Sequence, residues 1–207
     1  MKVLNLTGEL ERLVADITGR VDEFRHVDPS RVMVCVATTR GKGVHGTYAK
    51  IHPLRFENGS RTTLIKRRRN TVRCEITPVA RQGVEMLYVI YVLVPRFLNL
   101  PLREKLITLF HELYHVSPAF DGDIRRFPGK NYAHGSSRKK YNERMAHMVD
   151  LYLEHPEHAS GVSFLEGDLT AIRSRYGSLV GRRMAAPKLR IVPDEHAHRD
   201  DGISSSL

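Results

Sequence analysis

Cysteine is nearly missing from this chain: Cys35 and Cys74 are the only two in 207 residues. Neither belongs to a C-x-x-C pair, which argues against a zinc ribbon and a disulfide framework and points to a reducing compartment. Long apolar runs are missing as well. The longest, Met86–Val94, falls far short of the roughly 20 residues that cross a bilayer, so no membrane partner is expected. Residues 1–13, MKVLNLTGELERL, acquire acidic side chains too early for a secretory segment and lack a small-residue cleavage site. A cytoplasmic protein is the expectation. Gly41, Gly43 and Gly46 do not fall into a phosphate-loop pattern. No helix-turn-helix or zinc-finger spacing is found either. Negative charge is in short supply, with 23 acidic residues against 33 basic ones and a net charge of +10. That excess favours acidic partners, nucleic acid among them. The basic clusters are Lys66-Arg67-Arg68-Arg69, Arg125-Arg126, Arg138-Lys139-Lys140 and Arg182-Arg183. Each reads first as solvated surface and second as a non-specific nucleic-acid contact.

What the chain does have is one stretch around which the rest can be arranged, LREKLITLFHELYHV, residues 102–116. Leu102, Leu106, Leu109, Leu113 and Val116 repeat at helical spacing and form an apolar stripe. His111 and His115 lie four apart, so on a helix they stand one above the other, roughly opposite the leucines. That places two imidazoles on one face, spaced to hold one metal ion. Glu112 falls on the flank of that face, within reach of a metal-bound water rather than of the metal.

The flanking sequence predicts an α+β domain with a small, mainly antiparallel sheet packed against an N-terminal helix and the metal helix. A helix is expected over Thr7–Phe24, with Thr7 as its N-cap. Strands are expected over Arg31–Thr38, Arg61–Lys66, Thr71–Thr77 and Gly83–Val94, with an extended segment at Gly46–Phe56. The last strand is apolar nearly throughout and reads as buried on both faces. Asn99 is the expected cap of the metal helix. Helices follow over Ser137–Glu154, ended by Pro156, and within Ser163–Tyr176. The organisation read from this is an N-terminal helix (1–27), a central domain (28–156), a helical extension (157–180) and a disordered basic and polar tail (181–207).

Catalytic zinc takes three protein ligands and leaves one position for water. Three residues compete for the third place. Asp121 lies six residues after His115, but Pro118 sits where a short closure uses a left-handed glycine. Glu143 lies 28 residues after His115, on the next helix. His134 ends a long loop rich in glycine and proline, just before that helix, and is the preferred candidate. Tyr132, Arg138 and Tyr141 are placed by position near any oxyanion, and each is equally readable as packing or surface.

The segment from the long strand through HELYHVSPAFDGDIRRFPGKNYAHGSSRKKYN resembles the phage-type metallopeptidase domain family. More distantly it is similar to the SprT-like zinc proteases, which pair such a helix with a later His-Gly before another helix. The resemblance implies a zincin-like fold, Zn²⁺ on His111, His115 and His134, Glu112 as general base and a protein or peptide substrate. The four-cysteine ribbon that some SprT-like proteins carry has no counterpart here. A rival expectation is a nucleic-acid module with a structural metal, or a protease recruited to DNA by its charge. Structural zinc sites are four-coordinate and closed, and no cysteine lies near the motif to close one.

Overall fold

The computed structural model describes residues 2–38, 46–68, 70–128 and 138–193. The chain opens with β1 (Val3–Asn5) and α1 (Leu6–Arg20), followed by β2 (Val32–Thr38) and β3 (Ala49–Pro53). Two hairpins come next, β4 (Thr62–Arg67) with β5 (Asn70–Ile76), then β6 (Ala80–Arg81) with β7 (Val84–Glu85). The long strand β8 (Tyr88–Val94) leads into α2 (Leu102–Tyr114). Helices α3 (Arg138–Leu153), α4 (Pro156–Val162) and α5 (Leu169–Tyr176) precede β9 (Ser178–Val180) and β10 (Leu189–Ile191). Helix and strand are mixed, as an α+β chain requires. No helix among the described residues is long and apolar enough to cross a membrane.

The central sheet has the order β2-β8-β3. Strand β8 pairs with β3 in antiparallel fashion but with β2 in parallel, Val34 lying opposite Ile90. The expectation of a mainly antiparallel sheet is therefore corrected for this sheet. The segment between β2 and β8 carries β3 and both hairpins, long enough for the crossover that parallel neighbours need. Strand β8 is central and buried on both faces, which accounts for its unbroken apolar run. Tyr88, Ile90 and Val92 face the main core. Val89 and Tyr91 face a smaller one with Met33, Cys35, Leu54 and Met86.

Helix α1 is capped two residues before Thr7. Asn5 is the cap, its side chain accepting the Gly8 N–H at 3.1 Å. Leu10, Leu13, Val14 and Ile17 then bury one face. Helix α2 likewise begins without Asn99, whose side-chain oxygen accepts the Leu169 N–H instead (3.3 Å). Pro156 does stop α3, but it also opens α4, in the first turn where its missing N–H costs nothing. Leu10, Ile90, Leu106, Val149 and Ile172 belong to one core, so the N-terminal helix, the central segment and the 157–180 extension share it.

Lys105 is fully buried on the core side of α2, 0 % exposed. Its ammonium donates to the carbonyls of Leu165 (2.7 Å) and Gly167 (2.5 Å), tying α2 to the chain after α4. Burial pushes its pKa down to about 8.

Residues 181–193, expected from composition to lack structure, run as an ordered strap. The Arg182 carbonyl accepts the Val36 N–H (2.8 Å), and its guanidinium donates to Glu11 and to the Val34 carbonyl. Strand β10 then pairs with β5. Backbone pairing needs no apolar composition, which is why the composition missed it. Residues 194–207 lie outside the described residues.

A buried tyrosine fixes the loop that follows α2. The Tyr88 hydroxyl donates to the Asp123 carbonyl (2.7 Å) and accepts the Gly122 N–H (3.0 Å). Tyr88→Phe leaves that N–H without a partner in the interior. We expect a loss of about 1–3 kcal/mol in urea denaturation, and no measurable loss would refute this role for the hydroxyl.

Candidate active site

The site is built on the end of α2. Leu106, Leu109, Phe110 and Leu113 sit in the core and fix the rotation of the helix. His111 and His115 therefore come to lie one turn apart on the same side of the helix, and His111 lines a cleft. His115 is the C-cap residue and keeps helical backbone angles (φ −73°, ψ −13°), so the alignment survives the helix end. The two ring centroids are 4.8 Å apart with the rings at 76°. Nitrogens sharing one zinc at about 2.0–2.1 Å each lie within about 4 Å of one another, and this ring spacing allows it.

Glu112 is withdrawn from solvent, 7 % exposed. Its Oε2 accepts the Ile51 N–H of β3 at 2.6 Å. Alternate residues of β3 direct their backbone to β8, as the bonds from Leu93 to Tyr48 and from Leu54 to Leu87 show. Ile51 is of the other parity, so its N–H points to the outer edge and meets the carboxylate. Burial raises the Glu112 pKa to about 7, against the lowering effect of that N–H.

A tyrosine from α3 completes the described wall. The Tyr141 ring lies 4.9 Å from the His111 ring and 5.8 Å from the His115 ring, and its hydroxyl is directed at the His111 carbonyl (3.4 Å). Desolvation pushes this phenol up, above the usual tyrosine range. Tyr141 thus packs against both imidazoles and limits their rotation, and it sits in the apolar stripe of α3, which is how the sequence pattern reads it. Alongside the site runs a cleft of about 600 Å³ lined by Ala49, Arg103, Ile107, His111, Glu112 and Glu143.

The candidates for a third ligand fall in different places. Asp121 is occupied locally: its Oδ1 accepts the Asp123 N–H (3.1 Å), and its backbone and Cβ lie against Gly59. Glu143 lines the cleft with His111 and Glu112, exposed and within 3.9 Å of Lys139. His134 and Tyr132 lie outside the described residues, as does the side chain of Arg138. Among the described residues, no group of three or more His, Cys, Asp or Glu side chains is gathered in a metal-holding arrangement. Cys35 and Cys74 are buried away from the cleft, in the small core and in the β4–β5 sheet.

Two contributors escape the sequence. The Ile51 amide acts through its backbone, which residue type does not encode. Arg125 reads only as part of a basic doublet. In the structure its N–H donates to the His115 carbonyl (2.7 Å) and its Nε to the Tyr114 carbonyl (2.8 Å), with the guanidinium 4.3 Å over the Tyr114 ring. It caps the last turn of α2, where the carbonyls lack helical partners and cations are favoured. A basic residue shortly after a helix end is the only sequence signal for such a cap.

In comparisons with known proteins, no family model, no curated protein and no solved structure matches the chain.

Proposed function

We propose that the chain is a zinc-dependent metallopeptidase of zincin-like architecture, in line with the resemblance to the phage-type and SprT-like families. One observation carries the reading. Two imidazoles stand one turn apart, His111 lining a cleft, and the glutamate between them is withdrawn from water until its proton affinity reaches the neutral range. A surface histidine pair has no need of such a neighbour. The donor set suits zinc: neutral imidazoles are good ligands for it, and no cysteine is at hand to close the site. His134 is the proposed third ligand.

When bound, zinc supplies an acidified water and a Lewis acid for the scissile carbonyl. His111 and His115 hold the ion, with Tyr141 limiting ring rotation from one side. Glu112 takes a proton and returns it to the leaving amine, a task best done by a group with pKa near the working pH. The Ile51 amide holds its carboxylate in place. The outer edge of β3 forms one wall of the cleft and offers backbone groups to an extended peptide.

Metal content and casein hydrolysis, measured on the same preparations, test the proposal. Wild type is expected to carry zinc one-to-one and to hydrolyse casein until chelated. His111→Ala, His115→Ala and His134→Ala are each expected to lose both properties, whereas Asp121→Ala and Glu143→Ala keep them. Loss in either of the last two with retention in His134→Ala would reassign the third ligand. A wild-type protein that takes up no zinc and cleaves nothing would sink the proposal.

A further inference from the structure

Two of the four basic clusters have members engaged inside the fold. Arg125 caps α2, and Arg126 pairs with Asp123 (3.0 Å). Arg182 is held by Glu11 and by the Val34 carbonyl. Lys66, Arg67 and Arg68 are different. From Arg61 to Ile76 the sequence holds Arg61, Lys66, Arg67, Arg68, Arg69 and Arg73 against Glu75 alone. Arg61 is paired with Glu85 (3.1 Å), and Glu75 is taken by Arg190 of β10. The excess is therefore concentrated toward the hairpin tip.

The strands give that excess a shape. Strand β10 pairs with β5 at Cys74–Ile76, and the Val192 N–H reaches on to the Arg73 carbonyl (3.0 Å). Beyond these contacts Ile65–Arg67 pairs with Asn70–Val72 as a two-stranded ribbon among the described residues. Cross-strand partners share a face, so Leu64, Lys66, Thr71 and Arg73 lie on one side. Leu64, Lys66, Arg67, Arg68, Asn70 and Thr71 are all exposed, Leu64 by 63 %. A strand the length of β4 spans about 20 Å.

The tip adds a second observation. Arg68 has φ +42°, in the left-handed region that hairpin turns reserve for glycine and asparagine. An arginine held there goes against turn chemistry, and such outliers concentrate where a side chain has a task.

We propose that the distal half of the β4–β5 hairpin is a binding arm for duplex nucleic acid, with Lys66, Arg67 and Arg68 neutralising backbone phosphates. A two-stranded ribbon is one of the two elements that the major groove of B-DNA admits. Its contacts are to phosphates, so binding is insensitive to base sequence and strongly sensitive to salt. This arm does not depend on the peptidase reading of the other site.

Fluorescence anisotropy of the full chain with a duplex of mixed sequence tests it, as a salt titration. Each phosphate contact contributes about −0.9 to the slope of log K against log salt. The triple variant Lys66→Ala, Arg67→Ala, Arg68→Ala should flatten the slope by about 3 and weaken binding at least about tenfold at low salt. Arg68→Gly separates charge from folding: it should raise the melting temperature, by relieving the turn, while flattening the slope by about one. If the triple variant fails to fold, Arg68→Gly decides alone. Unchanged slopes in the folded variants overturn the proposal. So does wild-type binding to polyglutamate or to phosphatidylserine vesicles as tight as to the duplex.

Discussion

Glu112→Gln is expected to lower peptide hydrolysis by about 10²–10⁴-fold while zinc content stays at the wild-type level. The amide is nearly the same size and keeps an oxygen that can accept the Ile51 N–H, so the end of α2 has no reason to move. What it cannot do is take a proton. Undiminished hydrolysis by the zinc-loaded variant would remove Glu112 from the mechanism. A second readout uses the metal-free protein. The folded pKa of Glu112 is about 7 and its ordinary value is 4.5, so between these the folded chain holds a proton that the unfolded chain has released. Wild type then loses stability as pH rises through that window, by up to about 3 kcal/mol. The variant lacks this slope. It should match wild type near the lower limit and exceed it by about 1–3 kcal/mol above neutrality, in parallel urea titrations.

The largest stability effect is expected at Lys105. Lys105→Ala removes the stem, opens a cavity and leaves the Leu165 and Gly167 carbonyls without their donor. A cost of about 3–5 kcal/mol follows from the cavity and the lost charge-assisted bonds together. Lys105→Met keeps most of the volume and abolishes the buried charge, so its cost should be nearer 1–2 kcal/mol. The pH dependence identifies the cause. The lysine pKa falls from 10.5 unfolded to about 8 folded, so between these the unfolded chain binds more protons and stability rises with pH. A neutral amine still offers an N–H to each of the two carbonyls. The gap between wild type and Lys105→Met should therefore widen from pH 8 upward, by at most about 3 kcal/mol. A flat gap would mean that the ammonium is better solvated than its burial implies.

How much of this was legible in the residues follows from what each feature depends on. The rotation of α2 was legible because Leu106, Leu109 and Leu113 state it by spacing, and the places of His111 and His115 come with it. The β4–β5 hairpin was legible because two short β-branched runs flank a polar tip. Lys105 was not: a lysine at a core-facing position looks polar, and only the carbonyls of Leu165 and Gly167, some sixty residues on, make its burial tolerable. The parallel pairing of β2 with β8 was equally hidden, since an apolar run reads the same in either direction. The link from Ile51 to Glu112 runs through a backbone amide whose aim is set by strand parity in the folded sheet. Local pattern encodes which face of an element is apolar; it does not encode which distant backbone group that face will meet.

The strap over β2 has a consequence in time. The Val36 amide is satisfied by the carbonyl of Arg182, and β1 pairs with β9, whose residues lie equally far along the chain. During synthesis at about 5–20 residues per second, the outer edge of β2 waits roughly 7–30 s for its partner to leave the ribosome. Over that interval the nascent sheet carries an uncovered edge next to a strongly apolar strand, the arrangement most open to pairing with another chain. The rate of translation between β2 and Arg182, and any chaperone that shields the edge meanwhile, therefore bear on yield as directly as the stability of the finished fold.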